Sequence, residues 1–341
     1  MINTQPSHTT AERGSRIRAA VYGLAFGDAW GFVTEFTSYA SIMRAQPAPP
    51  RPLVVSDDTQ MSLYTLEAIS QLRGEDLSDL PSDRELQARV RDAFATQYLR
   101  FYDDPDNDRA PGDTCMIALG SLDGNATATP VARNDSKGCG TIMRAPWLGL
   151  LPYPVPVLAS LSVLQSQVTH GHPLSWVSAA ACTLLVRELA ALPQPVEGLE
   201  LVDLANECAK QAGSIPLLAE HQSHVDFQRA GIQTIRDQWE LFISDEGDPC
   251  QFFGDGWVAE ETFTTALATF ARNPHDPMTV IRDLVYTHGD SDSLAAVGGA
   301  FAGALNGDGF VTEQMVADFE PRYQQELAEA VASLTLAYGE I

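Results

Sequence analysis

The sequence predicts an all-α fold, a compact single-domain orthogonal helical bundle, and three observations predict it. Apolar residues recur with the 3.6-residue period of a helix along most of the 341 positions. No convincing run alternates apolar and polar residues as a half-buried strand would. Pro and Gly fall mainly between the periodic segments: APPRP at 48–52, DDPDNDRAPGD at 103–113 and LPQPVEG at 192–198. None of these is long or biased enough to link independent domains, and no internal repeat is present.

The elements follow in order. A polar N-terminus, residues 1–14, is expected to be disordered ahead of a single domain spanning 15–341. The helical pattern begins at 12–30. Residues 56–74 open on capping residues and close on Gly74. Residues 83–102 place Leu86, Val90, Phe94, Tyr98 and Phe101 on one face. Segments 154–168, 174–191, 198–212, 224–243, 257–271, 276–287, 292–305 and 321–338 carry the same period. DDPDND at 103–108 lacks the Gly and distal Glu of a calcium loop and reads as a solvated acidic turn.

Composition narrows the function. Twenty-one Lys and Arg stand against 45 Asp and Glu, a formal net charge of −24. That disfavours a nucleic-acid surface, which needs clustered basic residues, and disfavours docking on anionic lipid. No unbroken run of 18 apolar residues suggests a membrane span, and the polar N-terminus lacks a secretory apolar core. Five widely spaced cysteines without a CxxC argue against a disulfide framework or a zinc site, and a cytoplasmic protein is expected. The nucleophile elbow, the phosphate loop, HExxH and the dinucleotide fingerprint are all absent.

Two acidic motifs carry the chemistry. Ser56-Asp57-Asp58-Thr59 precedes an apolar helical run, and Gly289-Asp290-Ser291-Asp292-Ser293 precedes LAAVGGAFAGALNG. Either alone is a good helix cap, since Ser and Asp accept from free N–H groups and complement the helix dipole. Together they stack four carboxylates and two serine hydroxyls at two helix starts. Such charges repel unless a cation neutralises them, and an all-oxygen set suits hard Mg²⁺ or Mn²⁺. Two clusters suggest two ions sharing a carboxylate. The Ala- and Gly-rich residues after the second motif let other helices approach it. A third segment, Gly27-Asp28-Ala29-Trp30-Gly31-Phe32-Val33-Thr34-Glu35, reads as a helix ending in a tight turn that presents Glu35.

GDAWGFVTE, SDDTQM, APGDT, SKGCGTIMRAPWLGL, THGHP and GDSDSLAAVGGAFAGALNG occur in the order and approximate spacing of the ADP-ribosylglycohydrolase family, which the chain resembles over about residues 15–308. The resemblance implies an all-α hydrolase that cleaves the C1″ bond of ADP-ribose joined to an acceptor, with two Mg²⁺ or Mn²⁺ ions. It implies Ser56, Asp57, Asp58, Asp290, Asp292 and Ser293 as metal ligands, with Asp292 bridging. Ser stands where Thr is commoner at both ends of that set, and the hydroxyl is kept. It implies Glu35 and Asp292 in catalysis, and Glu35, Gly112, Ser136, Lys137, Gly138, Cys139, Gly140, Met143 and His170 on the substrate. Cys139 replaces the Asn of the family's Gly-Asn-Gly loop, whose N–H groups are expected to hold the pyrophosphate. His170 also fits a satisfied core histidine. The expected partner is ADP-ribose on a protein, most readily on arginine, or a small ADP-ribose conjugate, bound by a monomer. The alternative on this fold is a non-catalytic ADP-ribose-binding or toxin-neutralising immunity protein.

Overall fold

A computed structural model describes residues 9–122, 129–192 and 196–337, and residues 1–8 of the expected disordered terminus lie outside the described residues. The first helix starts earlier than the boundary at 15. Thr10–Gly31 opens on a capping box, Thr9 accepting from the Glu12 N–H while the Glu12 carboxylate accepts from the Thr9 N–H. Sixteen α-helices and four short 3₁₀ segments make up the described residues, with no strand longer than an isolated bridge.

The expected helices are present to within a few residues at each end. One long segment is broken: 224–243 divides into Gln222–Asp237 and Trp239–Ser244, because Gln238 leaves helical geometry (φ −104°, ψ 3°). Four short helices were not legible: Tyr39–Ala45, Asp113–Gly120, Cys250–Phe253 and Glu313–Asp318. Each has too few turns to show a period. Pro173–Ala191 is long and apolar enough to cross a membrane by length and composition, with mean hydropathy 1.3 over 18 residues. Its window is 78% buried by other helices, and it serves as a core helix.

Two helices in direct backbone contact form the centre. Thr10–Gly31 lies along Ser291–Asn306, and glycines at every fourth position of the first face the second. A Cβ on Gly23 would sit 2.3 Å from the Gly299 carbonyl oxygen, on Gly27 2.1 Å from that of Ala295, and on Gly31 2.4 Å from that of Ser291. From the other side, Gly303 would strike the Ala19 carbonyl at 2.2 Å. This seam sets the end of one helix, with Asp28 and Glu35, beside the start of the other, with Asp290 and Asp292.

The 103–113 loop is not a solvated turn. Arg322, on the last helix (Pro321–Ala337), donates to Asp104 at 2.6 and 2.7 Å and to Asp106 at 3.0 Å. Arg109 forms a bidentate pair with Glu320 (2.6 and 2.9 Å) and donates to the Val55 carbonyl at 3.1 Å, one residue before Ser56. The acidic run looks solvated in sequence because its partners lie more than 200 positions away.

Candidate active site

Asp28 organises the first acidic motif. It is fully buried and accepts from the N–H groups of Ser56 (2.9 Å) and Thr59 (3.0 Å) and from the Thr59 hydroxyl. One carboxylate thereby ties the end of the first helix to the start of the Asp57–Gln71 helix. Ser56 acts as that helix's cap, its hydroxyl accepting from the Asp58 N–H at 3.4 Å, and it does not line the cleft. Asp57 accepts from the Gly112 N–H at 3.2 Å, which joins the 110–114 loop to the site. In the second motif Asp292 accepts from the Ser293 N–H at 2.9 Å, and the Ser293 hydroxyl donates to Asp58 Oδ1 at 3.2 Å.

The carboxylates converge. Oxygens of Asp28, Asp58 and Asp292 lie within 4.8 Å of one another, as do those of Glu35, Asp290 and Asp292, so Asp292 belongs to both groups. Buried Asp58 Oδ2 and Glu35 Oε2 have no hydrogen-bond partner. Two unpartnered carboxylate oxygens inside a cluster of acids fit a divalent cation, which would supply the missing contacts. Among the described residues these groups can hold a metal ion.

The electrostatics agree. Burial, reinforced by the negative charges of Asp290 and Asp57, pushes Glu35 up to about 8. Burial pushes Asp57 up to about 7 and raises Asp28, Asp58, Asp290 and Asp292 as well. A carboxyl group raised in the folded state binds protons there more readily than in the unfolded chain, whose value is about 4. Its stabilising contribution is therefore full below about pH 4 and is lost as pH rises through about 7 to 8. In EDTA the melting temperature should climb as pH falls from about 8.5 to about 6.5. Saturating Mg²⁺ or Mn²⁺ should flatten that slope by holding the carboxylates ionised. Below about 6.5 buried His170 acts oppositely, since burial holds it down to about 3 and only the unfolded chain takes up its proton. Differential scanning fluorimetry across that window checks the sign; a flat profile in EDTA would contradict the repulsive cluster.

The cluster faces a cleft of about 460 Å³. Asp57, Asp58, Asp290, Asp292, Ser293 and Glu35 line it, with Gly112, Gly138, Cys139, Gly140, Met143 and His170. Ser136 and Lys137 do not. Ser136 meets Thr114 at 3.0 Å and accepts from the Gly138 N–H, while the Lys137 ammonium is paired with Glu260. The expected N–H cradle is also partly used, because Gly138 donates to Ser136 and Cys139 to the Trp257 carbonyl at 3.2 Å. The glycines instead permit close packing: a Cβ on Gly138 would lie 3.1 Å from His170 Nε2, and one on Gly140 2.8 Å from Cys115 Sγ. His170 Nδ1 is 2.9 Å from the Thr169 hydroxyl, so the residue is both a satisfied buried histidine and a wall of the cleft.

Sequence reasoning missed several residues. Asp28 stood in a motif already singled out, yet one acid inside a helix carries no pattern of its own. Arg144 is fully buried behind the site, bonded to Gln165 Oε1 (2.6 Å) and Thr169 Oγ1 (2.8 Å) and lying over the Tyr98 ring at 4.3 Å. Its signal was a lone cation in the apolar run TIMRAPWLGLL. Phe36 and Trp257 stack at the cleft mouth, centroids 5.8 Å apart and planes 19° apart, and nothing in the sequence pairs them.

Comparison with known proteins accords with this fold. A family model described as ADP-ribosylglycohydrolase matches residues 9–340. The ADP-ribosyl-[dinitrogen reductase] glycohydrolase of Rhodospirillum rubrum is 23% identical over 336 residues, covering 95% of this chain and 97% of that protein. A solved chain described as an ADP-ribosylglycohydrolase-related protein complex superposes with a TM-score of 0.67 at 24% identity, covering 96% of this chain and 99% of its own, a likeness of fold.

Proposed function

The chain belongs to the ADP-ribosylglycohydrolase family, and on that premise we propose that it is a metal-dependent hydrolase releasing ADP-ribose from an acceptor, an arginine side chain foremost. The observation that carries the reading is the convergence of Asp28, Glu35, Asp58, Asp290 and Asp292 in two groups that share Asp292, all but Asp28 lining, with Asp57, a ligand-sized cleft. Asp58, Asp290 and Asp292, with Asp28 behind them, would hold two Mg²⁺ or Mn²⁺ ions. When bound, such ions supply positive charge and a Lewis acid for substrate oxygens.

The protein's own groups do the rest. Glu35, raised towards neutrality beside Asp290 and half-buried, is suited to carry a proton between water and the leaving group as the C1″ bond breaks through an oxocarbenium-like state. His170 stays neutral and, with Gly138 and Gly140, shapes the wall against which the nucleotide lies. At the mouth, the faces of Phe36 and Trp257 and the Asp113 carboxylate favour a planar cationic acceptor such as a guanidinium. The acidic surface makes a nucleic-acid acceptor the poorer fit.

The test is release of ADP-ribose from arginine-linked, serine-linked and O-acetyl conjugates in Mg²⁺, Mn²⁺ or EDTA. Turnover of the arginine conjugate, abolished by EDTA, supports the reading. Tight ADP-ribose binding without turnover of any conjugate would make the protein a reader instead. Glu35→Gln separates proton transfer from binding. The expected result is kcat lowered by roughly a hundredfold with ADP-ribose affinity nearly unchanged. Equal loss of both would remove Glu35 from that role.

A further inference from the structure

Arg144 is fully buried, yet among the described residues every atom that its guanidinium meets is uncharged. Nε donates to Gln165 Oε1 at 2.6 Å, and Nη2 donates to the Gln165 carbonyl at 3.1 Å and to Thr169 Oγ1 at 2.8 Å. Nη1 faces Met61 Sδ at 3.3 Å and Cys115 Sγ at 3.6 Å. A buried charge without a counter-charge is costly, and packing alone would be served by an uncharged side chain. The contacts run on from Thr169 towards the cleft. Thr169 Oγ1, which accepts from Arg144, lies 2.9 Å from His170 Nδ1. That hydroxyl has one proton to give. The imidazole nitrogen is the strong acceptor in reach, since sulfur accepts weakly and Cys115 Sγ already faces the guanidinium. Charge favours the same arrangement, because the lone-pair nitrogen is the negative end of a neutral imidazole and Arg144 lies on the Nδ1 side. The ring is neutral: burial, and then the Arg144 charge, hold His170 down to about 3. Its other nitrogen, Nε2, takes no hydrogen bond among the described residues. A Cβ on Gly138 would lie 3.1 Å from Nε2, and Gly138 and His170 both line the cleft.

We propose that Arg144 and Thr169 are positioning residues that lock His170 in its Nε2–H tautomer, so that the ring offers one fixed N–H donor to an acceptor atom of the nucleotide lying along the Gly138–Gly140 wall. The reverse tautomer would turn a lone pair towards the same atom and repel it. Phosphate oxygens, sugar oxygens and the ring nitrogens of a base are all acceptors, and a charged phosphate oxygen is the strongest of them. Fixing the tautomer before the ligand arrives spares the bound state the cost of choosing between two proton positions. The donor role rests on the reading of the cleft as an ADP-ribose site. The tautomer itself depends only on Arg144, Thr169 and the ring.

Histidine is isotope-labelled in the full chain, and the tautomer of each ring is read from long-range proton–nitrogen correlation spectra. His170 is assigned as the signal lost in His170→Gln. The expected wild-type pattern is a protonated Nε2 and a lone pair on Nδ1, unchanged between about pH 6 and 8, with the Nε2–H signal shifting when ADP-ribose is added. Thr169→Val keeps the shape and removes the hydroxyl proton. It should leave His170 as a mixture of tautomers and weaken ADP-ribose binding, measured by calorimetry, roughly tenfold. Thr169→Ser keeps the hydroxyl and should restore both. The wild-type spectrum decides the tautomer by itself, so the result does not depend on the valine variant folding. A wild-type ring protonated on Nδ1, or a mixed one, overturns the proposal, as does a folded Thr169→Val with the wild-type tautomer. An Nε2–H signal that ignores bound ADP-ribose removes the donor role. Failure of ADP-ribose to bind a wild type that holds the Nε2–H tautomer overturns the function proposed above and leaves the positioning of His170 standing.

Discussion

Asp292→Asn should lower ADP-ribose release by roughly a hundredfold or more while raising the melting temperature of the metal-free protein. The two effects have one cause. Asp292 is the carboxylate common to both acidic groups, 4% exposed, with Asp58, Asp290 and Glu35 around it. Without a cation its charge is repelled by those of its neighbours, and Asn keeps the shape while removing that charge. With a cation the same charge becomes the shared ligand, and its loss should remove most of the thermal gain that Mg²⁺ or Mn²⁺ gives wild type. A cap at a helix start would behave differently, because Asn caps as well as Asp. Thermal shifts of both proteins, with EDTA and with each ion, together with an activity assay, distinguish the two. Wild-type activity in the variant would remove Asp292 from the centre.

The second large effect lies at the helix seam. Gly299→Ala should destabilise the fold by more than about 3 kcal/mol, because a Cβ there meets the Gly23 carbonyl oxygen at 2.1 Å and backbone cannot rotate away as a side chain can. At this chain length that corresponds to a drop of about 4 °C or more. Gly14 lies in the same first helix with nothing within 4 Å, and Gly14→Ala should instead stabilise slightly, by up to about 1 kcal/mol. Opposite signs for one chemical change test the seam directly; similar melting temperatures would mean that the helices can part.

The helices were legible because each buries a face repeating every turn, and the paired acids because two carboxylates at one helix start exceed what capping requires. Legibility ended where partners are distant in sequence. Asp28 is recognisable only once Ser56 and Thr59 are seen donating to it. The resemblance put Lys137 on the substrate, whereas its ammonium is paired with Glu260, 123 positions on.

The seam also dictates an order of assembly. Thr34 and Ser291, which hydrogen-bond where the two central helices meet, are 257 positions apart. During synthesis the first helix is complete long before the strip of backbone it must lie against exists. Its Ala- and Gly-rich face has no side chains bulky enough to find a substitute partner in the meantime. The acidic residues it carries therefore remain apart from Asp290 and Asp292 until the last quarter of the chain is made. The centre is thus assembled in one late step rather than grown residue by residue. A vectorial refolding experiment should find cation binding arriving with the second central helix and not before it.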